Sequence, residues 1–373
     1  MIERRQIVDL WQRDDAAALV TLVRAAGSSY RRPGARLLVA GDGVHAGTIS
    51  GGCLETEVVR KAAWMVRDGA VVERYSTLFD DTAEVPFGLG CGGVVDLLVE
   101  PAGTAECWAL MEAMGASLRG ETATVVTWLP DAARGKRLKR LVLGLNGKVI
   151  FGSEGLGADK VECGRGLEVG REYEERFVEE LRAPQRLVVL GAGDDAKPMV
   201  RMASLLGWSV VVADRRVHLA RAERFPEAER VVGLAGSVGE LEIGSDDAVV
   251  LMTHSYEQDR EFLAAVLPLA PRYLGVLGAR HRSSLLVSEA AVMTGLSVAE
   301  CCGRLYAPVG LDLGGDGPEA IALAVIAEAQ ACIQGKLGAS RRLSAEDVAE
   351  LIAQGGTSLY LKAQCGLDEA VKR

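Results

Sequence analysis

Two cysteines in this 373-residue chain close glycine-rich turns, Ser50-Gly51-Gly52-Cys53 and Gly90-Cys91-Gly92-Gly93. A thiol at a helix N-terminus or among backbone N–H groups ionises more readily and becomes the reactive member of its class. Thiolates also suit soft, sulfur-rich ligands. The alternative for each is a small side chain filling a tight turn. Upstream, Ser28, Ser29, Arg31 and Arg32 in GSSYRRPGAR bring hydroxyls and guanidinium forks to one turn. That composition suits phosphate or another anion, and equally a solvated loop.

A third group lies further along. Gly191-Ala192-Gly193-Asp194-Asp195-Ala196 has the G-x-G-x-x-A form of a dinucleotide-binding turn, and Asp214 follows 23 residues after Gly191. In that motif the first glycine makes the turn, the second admits phosphate and the later acid binds ribose hydroxyls. Asp194 and Asp195 crowd the place of a pyrophosphate, and like charge opposes it unless a cation intervenes. His254 falls just beyond the apolar run DAVVLMTH, with Asp259 five residues later as a candidate partner for the imidazole or for a cation. Arg280, His281 and Arg282 follow Gly278 at another turn suited to an anion, and Asp312 and Glu319 flank the Gly/Asp-rich approach to an apolar helix. The spacing shows no Ser/His/Asp triad, P-loop or HExxH motif.

The elements that position these groups read in two styles. Ile7, Leu10 and Trp11 share a helical face, and the runs at 19–23, 36–40 and 44–49 read as a strand meander. A helix follows Cys53, with Leu54, Val58, Ala62 and Met65 at helical spacing and Glu55 and Glu57 in its first turn. Strands are expected near 70–75 and 94–99. Beyond a helix from Thr104, TATVVTWL and LVLGLNGKVI read as an extension of the first sheet, with Asn146-Gly147 suited to a type I′ hairpin. From Arg186 strands and helices alternate, which predicts a doubly wound parallel sheet. The expected domains are 1–180, 184–335 and a helical extension at 336–373, where Ser344 and Asp347 resemble a capping box.

Apolar residues make up 49% and charged residues 25%, so the chain can bury cores, and 44 residues are glycine, in clusters without collagen-like period. Net charge is −9 and no basic stripe is present, which argues against nucleic acid. No run approaches the roughly 18 apolar residues of a membrane span. The N-terminus lacks an apolar signal core, so a soluble cytoplasmic protein is expected, and eight scattered cysteines form neither a disulfide framework nor zinc-finger spacing.

In order, GSSYRRPGARLLVA, GTISGGCLE, GLGCGGVVDLLVEP, VVLGAGDDAKPMVRMASLLGWSVVVADRR, LMTHSYEQD, YLGVLGARHR and APVGLDLGGDGPEAIALAVIAE resemble the XdhC/CoxI family of xanthine dehydrogenase accessory proteins over most of residues 15–335. The resemblance implies an N-terminal mixed α/β XdhC/CoxI domain and a C-terminal Rossmann-like domain. It implies a cytoplasmic maturation factor that binds molybdenum cofactor (molybdopterin), assists its sulfuration with a cysteine desulfurase and delivers it to a molybdenum hydroxylase apoenzyme such as xanthine dehydrogenase. On this reading the pterin phosphate meets Arg31, Ser28, Ser29 and the N–H groups of Gly51, Gly52, Gly92 and Gly93, while Cys53 or Cys91 faces the molybdenum or receives sulfur. Gly191, Gly193, Asp194, Asp214 and Asp312 would line the second wall or a nucleotide site. Two positions depart from the family: relatives read GAGHDA where Asp194 stands, and commonly carry proline in place of Tyr30. The competing readings are an NAD(P)-dependent oxidoreductase with His254 as acid/base, and a nucleotide-sensing module. A homodimer enclosing the ligand is the expected assembly.

Overall fold

The computed structural model describes residues 1–13, 15–27, 29–52, 54–76, 93–131, 135, 137–154, 156, 166–169 and 175–338. Helix α1 (Ile2–Trp11) leads into strands β1 (Ala16–Gly27), β2 (Arg36–Ala40) and β3 (His45–Gly47). After α2 (Glu55–Met65) come β4 (Val71–Ser76) and β5 (Gly93–Pro101), which complete an antiparallel sheet of order β3-β2-β1-β5-β4. The run at 18–23 is continuously apolar except for Thr21 because β1 is central and covered on both faces. Ala18, Val20 and Leu22 pack with Val58 and Ala62 of α2, while Leu19 packs with α1.

Residues 105–181 do not extend that sheet. Helix α3 (Ala105–Leu118), capped by the Thr104 hydroxyl accepting the Cys107 N–H at 3.2 Å, is followed by β6 (Ala123–Trp128), β7 (Lys139–Gly144), β8 (Val149–Gly152), β9 (Gly166–Val169) and β10 (Glu175–Leu181). These form a second antiparallel sheet of order β8-β7-β6-β10-β9. Its inward residues Val125, Val142 and Leu181 share a core with Leu19 and Leu38 of the first sheet and with α1 and α3. Both faces of β6 and β7 are buried, Val125 and Val142 against the first sheet and Val126, Leu141 and Leu143 in a separate cluster with Val178, so the sheet is a second layer rather than an edge of the first. The β7–β8 turn also differs from the type I′ expectation: Gly147 alone is left-handed (φ 71°), and its N–H returns to the Gly144 carbonyl at 3.0 Å. A type I turn closed by a left-handed glycine gives that geometry.

The chain then enters β11 (Arg186–Leu190), α4 (Ala196–Leu205), β12 (Ser209–Asp214), β13 (Arg230–Gly233), β14 (Ala248–Leu251), α5 (Tyr256–Val266) and β15 (Tyr273–Val276). All neighbours pair in parallel, in the order β13-β12-β11-β14-β15. Helices α6 (Arg280–Thr294), α7 (Val298–Arg304) and α8 (Pro318–Ile333) complete the doubly wound layers. Val188, Val249 and Leu251 face Phe262 and Leu286 on one side, whereas Leu187, Val189 and Val250 face Met199 and Val325 on the other. The strand order reverses between β11 and β14, and a crevice outside their carboxyl ends is where such sheets take ligands. Among the described residues no single helix is long and apolar enough to cross a membrane.

Candidate functional site

The reversal brings two turns together. Gly191 has φ 132°, and a β-carbon there would stand 2.4 Å from the Met252 carbonyl oxygen, so only glycine lets the β11 turn pass the end of β14. Its neighbour Ala192 donates its N–H to Asp214 Oδ2 at 2.8 Å. Asp214 is fully buried and also accepts the Arg216 N–H at 2.8 Å and two guanidinium bonds at 3.0 and 2.7 Å. Burial opposes ionisation, but Arg216 and the two N–H groups outweigh it and hold the carboxyl below its usual range. Both oxygens that would meet ribose hydroxyls are therefore engaged within the protein.

The two aspartates of the turn divide their roles. Asp194 lies in solvent beside Lys197 Nζ at 2.7 Å and Arg224 at 2.9 Å, and these cations lower its pKa. Asp195 instead meets His254 Nε2 at 2.7 Å. Its carboxylate fills the space beside Gly193, where a β-carbon would lie 2.3 Å from Asp195 Oδ1. Asp259 is buried and does not orient the imidazole; it accepts the Thr253 hydroxyl at 2.7 Å and Arg282 at 2.7 Å, fixing the residue before His254. The three-residue signal Asp194-Asp195-Ala196 was visible in the sequence, but the partner of Asp195 lies 59 residues away. Arg280, His281, Asp312 and Glu319 are all exposed, and Asp312 lies in the segment that leads into α8.

In the N-terminal half, loop 29–31 and turn 50–52 meet. The Tyr30 ring lies over Gly51, where a β-carbon would stand 2.7 Å from it. Ser29 Oγ donates to the Arg31 carbonyl at 2.7 Å, and Arg31 makes a two-bond pair with Glu3, one bond at 3.0 Å and the other shorter. A cleft lined by Glu3, Asp9, Arg13, His45 and Thr48 opens beside this pair. The turn itself wraps a residue that sequence reading placed only as a helix-start acid. Glu55 accepts the N–H groups of Ile49 (3.0 Å), Ser50 (2.9 Å), Gly51 (3.2 Å) and Gly52 (2.9 Å), and the Ser50 hydroxyl. Burial works against its charge, yet the Ser50 hydroxyl and the backbone donors bring its pKa down to about 2. A glutamate shortly beyond a Gly-Gly turn was the available signal.

Cys53, Cys91, Ser28 and Gly92 lie outside the described residues, as do Ser344 and Asp347, and Gly93 begins β5. Among the described residues no group of three or more His, Cys, Asp or Glu side chains could hold a metal ion.

A model of the XdhC Rossmann domain matches residues 187–329, and a model of the XdhC and CoxI family matches residues 10–76. The chain is 27% identical over 325 residues to a probable xanthine dehydrogenase subunit of Bacillus subtilis, covering 86% of this chain and 94% of that protein. It is 26% identical over 323 residues to the molybdenum cofactor insertion chaperone PaoD of Escherichia coli, covering 84% of this chain and 82% of that protein. It is also similar to a crystal structure described as a xanthine dehydrogenase from Bacillus halodurans, with a TM-score of 0.74, 26% identity, and coverage of 93% of this chain and 99% of that one.

Proposed function

The chain belongs to the XdhC and CoxI family, and from that membership we propose that it is a maturation factor that carries molybdenum cofactor to a molybdenum hydroxylase. The observation that supports this reading is the meeting of loop 29–31 with turn 50–52 through Tyr30 and Gly51, directly before Cys53. The cofactor is the cargo here. Its phosphate needs donors that the protein can release, and the arginine and backbone sites differ in that respect. Glu55 is buried on the turn, whereas the Arg31–Glu3 pair is open to solvent, with side chains 27% and 37% exposed. Exposed pairs hold by a fraction of a kcal/mol up to about 1 kcal/mol, so an incoming phosphate exchanges with Glu3 rather than with Glu55.

Cys53 or Cys91 supplies the soft ligand, and a cysteine desulfurase supplies sulfur for the terminal step. The chain acts in the cytoplasm as a homodimer that hands the cargo to apoenzyme. The oxidoreductase alternative is not favoured, because Asp214 already binds Arg216 and Ala192 and the Asp195 carboxylate occupies the room beside Gly193.

The test is the molybdenum and pterin content of the full chain purified without oxygen from a cofactor-producing host. Stoichiometric molybdenum with pterin is expected, falling several-fold in Arg31→Gln and rising in Glu3→Gln. Cys53→Ser or Cys91→Ser should lose both retention and activation of the client apoenzyme. Absence of molybdenum and pterin from the wild-type chain would overturn the carrier reading; unchanged retention and activation in both cysteine variants would remove the thiols from it.

A further inference from the structure

We propose that Asp195 and His254 form a proton-accepting pair at the reversal point of the parallel sheet, in which Asp195 positions the ring and His254 Nδ1 receives a proton from a ligand N–H or O–H. An ionised carboxylate only accepts hydrogen bonds, so the ring nitrogen 2.7 Å from Asp195 Oδ2 must be the one that carries hydrogen. That leaves Nδ1 as the basic atom, and it has no protein partner among the described residues. The histidine side chain is 59% exposed and the aspartate 23%, so the pair faces outward from a fixed base.

Three independent features mark this arrangement as more than a surface contact. His254 holds φ 61°, a left-handed backbone that a side chain other than glycine adopts at a cost and that clusters at ligand sites. The residue before it is tied down from every side: the Thr253 N–H and hydroxyl go to buried Asp259, and its carbonyl accepts Arg216 at 3.2 Å. Gly193 gives up the room that the Asp195 carboxylate occupies, so the glycine that a dinucleotide turn keeps for phosphate here serves the pair. The charged groups around the ring are Asp195 from the start of α4, Arg216 beyond β12, and the Asp259–Arg282 pair beneath Thr253. A ligand lying over the carboxyl ends of β11 and β14 therefore meets an oriented base. This inference goes beyond the carrier reading and is tested on the protein without cargo.

Diethyl pyrocarbonate acylates an unprotonated imidazole nitrogen, and mass spectrometry of peptides from the full-length chain, digested after the reaction, reads the rate at each of His45, His218, His254 and His281. A carboxylate bonded to Nε2–H makes Nδ1 the better nucleophile. At about pH 8.5, well above the ordinary imidazole value of about 6.5 so that the free base reacts in both proteins, Asp195→Asn is expected to slow acylation of His254 by three-fold or more while the other three histidines keep their rates, with an unchanged thermal unfolding midpoint showing an intact fold. If Asp195 serves only to pack the ring, the isosteric asparagine leaves its reactivity unchanged, and an equal or faster rate overturns the proposal. Gly193→Ala, which pushes the carboxylate from its place, should slow the same site and no other; an unchanged rate there counts against the pair equally.

Discussion

At the scale of single residues, Glu55 shows how a site that looks prepared for an external anion is completed internally. Four N–H groups and a hydroxyl converge on one carboxylate, and its pKa falls from 4.5 to about 2. Because the folded value lies below the unfolded one, the stabilisation is fully present above about pH 4.5 and is lost as the pH falls through about 2. Between about pH 6 and pH 3 the wild-type chain should lose on the order of 2 kcal/mol more stability than Glu55→Gln, read from urea unfolding of each. Parallel losses in the two proteins would mean that the turn does not depend on this charge. At neutral pH Glu55→Ala leaves the buried Ile49 N–H without its partner, which costs about 1–3 kcal/mol. The N–H groups that the sequence offers to a phosphate at Gly51 and Gly52 are thus the same groups that fix the turn ahead of Cys53.

At the scale of elements, the β11–α4 turn depends on one glycine for a steric reason that can be tested directly. Gly191→Ala combines a positive φ of 132° with a β-carbon 2.4 Å from the Met252 carbonyl, so the loss of stability should be on the order of 2–4 kcal/mol. A thermal unfolding midpoint unchanged from wild type would show that the turn relaxes freely. This unit was legible in the sequence because strands buried on both faces leave short unbroken apolar runs, as in Leu187 to Leu190 and Ala248 to Leu251, separated by helical patterns. The second antiparallel sheet was less legible. The apolar runs of β6 and β7 identify strands but not the layer they join, and Glu179 in β10 pairs with buried Arg36 of β2, a contact no local pattern announces. The same physics hid half of the candidate site. Asp259 is near His254 in sequence, but the helix it begins turns its carboxylate inward to Thr253 and Arg282, and the partner comes from a turn on another strand.

At the scale of the whole molecule, the two antiparallel sheets are joined by charge inside their shared interior. Arg140 of β7 and Glu100 of β5, each 1% exposed, make two bonds of 2.9 Å, and Arg140 further donates to the Thr127 hydroxyl and the Glu106 carbonyl. Burial alone would lower the pKa of the guanidinium, but Glu100 outweighs it and raises it. The neighbouring Cys107 thiol is pushed well up by burial and by the same glutamate, so it stays protonated and inert. Removing one partner strands the other charge away from water. Glu100→Gln or Arg140→Met alone should therefore cost about 3–5 kcal/mol in urea unfolding. The double variant Glu100→Leu with Arg140→Met removes both desolvated charges and should recover most of that loss, so the two effects will be far from additive. Recovery would mean that the pair adds little net stability and that the apolar contacts among Leu19, Val125, Val142 and Leu181 hold the sheets together without it. Additive losses would instead make the ion pair a net source of stability. The prediction belongs to this scale because neither sheet contains both charges, Glu100 standing in the first and Arg140 in the second.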